Sequence, residues 1–326
     1  MTICLEVGHK VESVSPPSLA GPSQWLTGSA GRLCRYERRP PDLTGPCRLT
    51  DPMSEYAEYA DLWRQAGRPP AEGEPDPDPV TGAEEAVRRL RALTHTRHDV
   101  VYLDTSDEYL LRFLRARKMR VSAAFELLTG CTLYRRDNPL LFGSFNAHSP
   151  PVRAALRDGF PGVLEQRDGR GRTVLLVFAA GWDPDRYPLT AIYRAILLTL
   201  DRLIEDVENQ ISGFVMVVDF SQFSLRQSKS VSPKMLRLMV NGLQDCYPAR
   251  FGGVHFVSQP WYVEAMLSVI RPFLKEKVKD KIYTHGNNLS ALYHHVSRRI
   301  LPAELGGDGP AHDTQRWADL MIRGPS

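Results

Sequence analysis

The sequence has no apolar run of the roughly 20 residues that a membrane-crossing helix needs, and its first residues, MTICLEVGHK, lack the continuous apolar stretch of a signal peptide. A soluble, intracellular protein is the expectation. No C-x-x-C pair occurs, and the five cysteines (Cys4, Cys34, Cys47, Cys131 and Cys246) are odd in number and widely spaced. That spacing argues against a disulfide framework and against a cysteine zinc site. Charge imbalance is also missing: 41 basic against 38 acidic residues leave only +3, too little for a general nucleic-acid coat, so any basic function must be local. The sequence contains no G-x-S-x-G elbow, no P-loop, no H-E-x-x-H and no G-x-G-x-x-G opening a helix. No catalytic residue, metal or cofactor is therefore assigned.

A hydrophobic content of 42% over 326 residues is enough for a substantial core. Residues 1–80 carry repeated Pro, Gly and Ser with little periodicity and are expected to be a disordered leader, with Met53 as a plausible alternative start. Residues 81–142 read as a small helical unit. In it, Thr105 and Glu108 suggest a capping box, and Leu110, Phe113 and Leu114 form an apolar stripe among arginines read as a solvated or bracing face. Residues 143–310 alternate between strand and helix signals. A hairpin turns at Gly169 and Gly171, a helix carries Leu189 to Val207, and GFVMVVDF and FGGVHFVSQ are strands. A helix over LSALYHHVSRRI closes the series, and residues 311–326 are a tail. Such alternation predicts an α/β fold whose sheet is joined by crossovers. Asp219 ends a buried strand and reads as a loop cap rather than a catalytic group, His255 reads as a core histidine, and His294 with His295 lacks metal-pair spacing.

The helix beginning PWYVEAMLSVIRPFLKEKVKDK is the most informative element. Glu264, Ser268, Arg271 and Lys275 share one narrow stripe, whereas Trp261, Tyr262, Val263, Met266, Val269, Ile270 and Phe273 are among the apolar residues around the rest, and Pro272 divides it. Two readings fit: a helix buried on most sides, or a lid with one face closing an apolar cavity and the other free to enter a bilayer. Trp261 and Tyr262 suit a membrane interface. Arg271, Lys275, Lys277, Lys279 and Lys281, with Arg250 nearby, would then stand beside anionic lipid, each cation there contributing roughly 1 kcal/mol.

FLRARKM, DGFPG, LQDCYPARFGGVHFVSQPWYVEAMLSVIRPFLKEK, HGNNLSAL and ILPAELGG, in that order, resemble the CRAL-TRIO lipid-binding family over about residues 85–310, nearest its clavesin branch, with the retinaldehyde-binding and tocopherol-transfer branches beside it. The resemblance implies a helical amino-terminal unit and an α/β domain whose sheet floors an apolar cavity closed by a mobile lid helix. It implies phosphoinositide contacts at Arg250, Lys277 and Lys281, with a further basic position of the tocopherol branch falling on Gly252. It implies a cavity lined by Ile196, Leu200, Val218 and Phe220, where Ile196 and Val218 replace the polar pair of the retinaldehyde branch. A bound lipid stands in place of a cofactor. The clavesin likeness implies phosphatidylinositol 3,5-bisphosphate binding, a part in lysosome organisation, and peripheral placement on endosome, trans-Golgi and clathrin-coated vesicle membranes, with clathrin-coat proteins as partners. The alternatives are an α/β hydrolase-like enzyme using Asp219 or a histidine, a retinoid carrier, and a vesicle-coat adaptor.

Overall fold

The computed structural model describes residues 82–324, and the leader expected over residues 1–80 lies outside them. Three helices, α1 (Ala83–Thr94), α2 (Asp107–Ala116) and α3 (Val121–Asp137), open the described chain. Leu90, Leu110, Phe113, Leu114, Ala124 and Leu128 are fully buried in their shared core, at the spacing of single helical faces. The cap of α2 falls one residue later than the Thr105–Glu108 box expected from sequence. Ser106 Oγ accepts the Tyr109 N–H at 3.4 Å, while the Asp104 carboxylate takes the Ser106 N–H at 2.8 Å and fixes that entry.

After the single turn α4 (Pro139–Phe142) and helix α5 (Pro150–Arg157) the chain enters its sheet. The expected hairpin forms, with a first strand, β1 (Gly162–Val163), only two residues long and antiparallel to β2 (Thr173–Phe178). Strands β3 (Phe214–Asp219), β4 (Phe251–Val257) and β5 (Ile282–Thr284) add in parallel, and the spatial order is β1-β2-β3-β4-β5. Connecting them are α6 (Leu189–Leu203) and α7 (Val207–Ser212), then α8 (Leu225–Lys229) and α9 (Pro233–Asp245). The last connection is α10 (Trp261–Ile270), a 3-10 turn (Arg271–Phe273) and α11 (Glu276–Lys279). Crossovers between parallel strands are right-handed, so a sheet that advances in one direction carries them all on one face. The other face must be covered by the chain beyond β5. That cover is α12 (Leu289–Tyr293) and the turns after it, while α13 (Thr314–Arg323) packs beside α5 and α6.

Two helices are shorter than their periodicity predicts. Asn209 Nδ2 donates to the Leu203 carbonyl at 2.8 Å and Gln210 Nε2 to that of Ile204 at 2.7 Å, so side chains take the last acceptors of α6. The helix stops there. Val207 starts a new helix and is exposed rather than continuing the buried stripe. Similarly α12 ends at Tyr293, although the turns beyond it still bury Val296 and Leu301. Cys131 and Cys246 are buried free thiols, pushed by burial up to about 11 and about 12, and thus unreactive.

Candidate lipid site and basic patch

Helix α10 comes directly after the end of β4 and lies across the crossover face of the sheet. Val263, Met266, Leu267 and Ile270 turn inward; Val263 is 1% exposed and Met266 and Leu267 are half-buried. Trp261, Glu264, Ala265, Ser268 and Val269, spaced i, i+3, i+4, i+7 and i+8, form the outer face. Only one of these five is charged. Trp261 is 73% exposed and Val269 53%, and Phe273 in the next turn is also exposed, so an apolar strip faces water on a helix already packed on its other side. Pro272 stands in the 3-10 turn that ends the α-helix, the division expected of it.

Contacts at its two ends hold α10 down. At the start, the Tyr262 hydroxyl donates to the Phe223 carbonyl and the two rings pack at 6.5 Å. Beyond its end, Gln244 bridges the chain: its Nε2 donates to the Phe273 carbonyl at 3.1 Å and its Oε1 accepts the Lys275 N–H at 3.3 Å. Lys275 Nζ also lies 2.6 Å from Asp245 Oδ1, and the Arg237 guanidinium sits 4.3 Å over the Phe273 ring. Helix α9, which supplies these latch residues, is itself tied elsewhere. Tyr134 Oη donates to the Leu238 carbonyl at 3.0 Å and Tyr193 Oη to that of Met239 at 3.4 Å. Gly242 makes this possible, since a Cβ there would overlap both phenols. The residues that contact the end of α10 are thus mounted on a helix fixed to α3 and α6.

Beneath these helices a set of apolar side chains is only half-buried. On the sheet, Val177, Val254 and Phe256 are half-buried, and Phe220 just beyond β3 is too. Met235, Leu238, Met239 and Leu243 of α9 and Tyr262, Met266 and Leu267 of α10 share that state. Of the four residues expected to line a cavity, Phe220 alone is half-buried on this surface, whereas Val218, Ile196 and Leu200 belong to the buried part of the same cluster and Leu200 is fully buried. Two clefts among the described residues lie elsewhere. One of about 260 Å³ is bordered by Arg202, Asn209 and Trp317, and one of about 410 Å³ by Arg170, His295 and Arg298.

The three predicted phosphate contacts sit around the start of β4 and β5. Arg250 donates to the Ile211 carbonyl at 2.7 Å, Lys281 Nζ to the Phe251 carbonyl at 3.0 Å, and Lys277 is exposed on α11. Burial lowers the Lys281 ammonium below its usual range, and the charges of Arg250, Lys118 and Arg117 add to the shift. Arg117 and Lys118, read from sequence as part of a solvated or bracing face, therefore stand beside the patch. A left-handed turn delivers them: Lys118 and Met119 have φ of 54° and 63°, and the Met119 N–H returns to the Leu114 carbonyl at 2.7 Å. No glycine marks that turn in the sequence. At Gly252, the space a side chain would fill holds the guanidinium of Arg172, which reaches across from the start of β2. A cation is present at that point, supplied by another strand and paired with Asp168 at 2.6 Å.

The candidate catalytic groups have structural partners. Asp219 Oδ1 accepts from the Ser221 N–H at 2.9 Å and its hydroxyl at 2.7 Å, the geometry of a turn cap. His255 is buried, 3.0 Å from His285 Nε2, and stacked on Tyr283 at 4.7 Å.

The CRAL/TRIO domain family matches residues 157–307, and the CRAL/TRIO, N-terminal domain family matches residues 75–130. The first contains the sheet, α9, α10 and the patch, and the second the helices that bring Arg117 and Lys118. Clavesin-2 of Homo sapiens is 49% identical over 236 residues, spanning 72% of this chain and 72% of its own. Clavesin-1 of Rattus norvegicus is 48% identical over 236 residues, spanning 72% of this chain and 67% of its own. A structure described as "Crystal structure of Sfh5" has a TM-score of 0.45 at 12% identity over 67% of this chain and 85% of that one, too remote a likeness to add to this. With both domains matched in order and nearly half of the aligned residues identical to the clavesins, the chain belongs to the CRAL/TRIO lipid-binding family.

Proposed function

We propose that the protein is a non-enzymatic lipid carrier that seats a hydrocarbon chain between the sheet and helices α9 and α10 and docks on phosphoinositide membranes through its basic patch. The observation that carries this reading is the half-buried apolar surface formed by Val254, Phe256 and Met239 with Met266 of α10, a helix whose outer face carries the exposed Trp261 and Val269. Each methylene moved from water to an apolar site is worth about 0.8 kcal/mol, so a long acyl or isoprenoid chain left in water costs on the order of 10 kcal/mol. A closed apolar seat offsets that cost.

Docking starts with Arg250, Lys277 and Lys281, joined by Arg117 and Lys118, on anionic headgroups. Headgroup phosphates compete with Asp245 for Lys275, the latch loosens, and Trp261, Val269 and Phe273 enter the interface as α10 swings out. Lipid exchanges, and reclosure of the Gln244 bridge commits the protein to leaving. No bond is broken in this cycle. The headgroup is phosphatidylinositol 3,5-bisphosphate, and the membranes are those of endosomes, lysosomes, the trans-Golgi network and clathrin-coated vesicles, with a part in lysosome organisation and coat proteins as partners. The similarity to the clavesins supports this finer reading.

The test is to expose the purified protein to vesicles, re-isolate it, extract it and identify the lipid by mass spectrometry. One lipid per chain is expected, and none above the level of a non-binding control overturns the proposal.

A further inference from the structure

The face of the sheet opposite α10 carries a cleft of its own, of about 410 Å³, between the β1–β2 turn and the end of α12. Four nitrogen-bearing side chains line it, Arg170, His294, His295 and Arg298, along with the hydroxyl-bearing Ser297. Its one lining carboxylate, Asp168, is already committed. Asp168 Oδ2 takes the Arg172 Nε–H at 2.6 Å, and Oδ1 takes the Arg170 and Arg172 N–H groups at 2.9 and 2.8 Å. With its side chain 1% exposed, Asp168 presents nothing to a ligand. Arg170 is exposed and makes no ion pair among the described residues, and the Arg298 pair with Asp308, 3.2 Å apart and mostly exposed, is weak.

The floor is rigid. The His295 ring rests on Tyr283 at 4.4 Å and on His255 at 4.8 Å, and His255 is bonded to His285. Gly253 gives His255 its space, since a Cβ at Gly253 would lie 2.6 Å from the His255 Nε2. Like charges crowd this floor: burial lowers the His295 imidazole, and His294, Arg170 and Arg172 lower it further. An open cleft with excess cationic donors, a hydroxyl and a fixed aromatic floor has the chemistry of a phosphate cradle.

We propose that this cleft binds the phosphate groups of a small phosphorylated molecule, at a site separate from the membrane patch, with which it shares no residue. Arg170 and Arg298 grip phosphate oxygens, Ser297 donates, and His295 adds a donor when it takes up a proton. The groups facing His295 are Arg170, Arg172 and Asp168 from the hairpin, His294 beside it, His255 from β4, Tyr283 from β5 and His285 just beyond β5. Of these only Asp168 is anionic, so a bound phosphate raises the affinity of the His295 imidazole for a proton.

The experiment tracks the histidine ring signals of the full chain by NMR during titration with inorganic phosphate, with inositol hexakisphosphate, and with vesicles containing phosphatidylinositol bisphosphate. Saturable shifts of His294 and His295 below about 1 mM inositol hexakisphosphate are expected, weakened roughly tenfold in Arg170→Gln. Vesicle binding should be unchanged in that variant, and Arg250→Gln/Lys277→Gln/Lys281→Gln should show the converse pattern. Shifts that never saturate, or that Arg170→Gln leaves unchanged, overturn the site. Loss of vesicle binding in Arg170→Gln overturns its separateness and merges it with the membrane patch.

Discussion

The two faces of the sheet are made of the same residue types and packed to different standards. Away from α10, Val174, Leu176, Val215, Val217, Val257, Leu292, Val296, Leu301 and Leu305 are each 0 or 1% exposed. Facing α10, Leu175, Phe214, Met216 and Val218 are buried too, but Val177, Val254 and Phe256 remain half-buried although helices cover them. The covers explain the difference. The turns after α12 are short and fit closely over branched aliphatic strands, as cores do when they exist only for stability. Helices α9 and α10 bring Met235, Met239 and Met266, unbranched side chains that adapt to changing neighbours. One face is a close-packed core, and the other is where the proposed lipid seat would lie.

The largest test of this contrast is a pair of truncations. Leu292→Ala should cost about 3 kcal/mol in urea unfolding, because its site cannot collapse, whereas Met266→Ala should cost less than about 1 kcal/mol. Equal losses would erase the distinction. Next comes membrane affinity: neutralising Arg250, Lys277 and Lys281 together should weaken sedimentation with anionic vesicles by about 100-fold, at roughly 1 kcal/mol per cation, without lowering stability by a comparable amount.

Acid should strain the packed face. Burial pushes the His255 imidazole down to about 3, and His295 and His285 reinforce the shift. The unfolded value is about 6.5, so below it the unfolded chain takes the proton first. Stability fully present above pH 6.5 is therefore lost as pH falls toward 3. His255→Phe, which keeps a ring on Tyr283, should flatten the fall between pH 6.5 and 5 by up to about 1.4 kcal/mol per unit, read from unfolding midpoints. The smallest effect belongs to the latch. Gln244→Ala/Asp245→Asn should speed lipid exchange between vesicles only about threefold, since exposed pairs and single hydrogen bonds are individually weak.

Much of this was legible in the sequence, because burial imposes periodicity. The runs over β2, β3 and β4 and the division of the chain at Pro272 after α10 come from spacing alone, whereas the split of α10 into an inward face with Val263 and Ile270 and an outward one with Trp261 and Val269 does not. The hidden features depend on partners distant in the chain. Asn209 and Gln210 end α6 from outside it, and Asp104 shifts the α2 cap by one residue. Arg117 and Lys118 reach the patch through a left-handed turn with no glycine to announce it, and Arg172 fills the gap at Gly252 from another strand. No local pattern encodes such meetings.

The central claim is that a lipid tail lies on one face of the sheet and not the other. The most direct measurement loads the protein from vesicles containing a lipid with a spin label on its tail, removes the vesicles, and records methyl NMR spectra. The methyls of Met239 and Met266 should broaden strongly while those of Leu292 and Val296 stay sharp. Equal broadening on both faces, or none on either, would contradict the account.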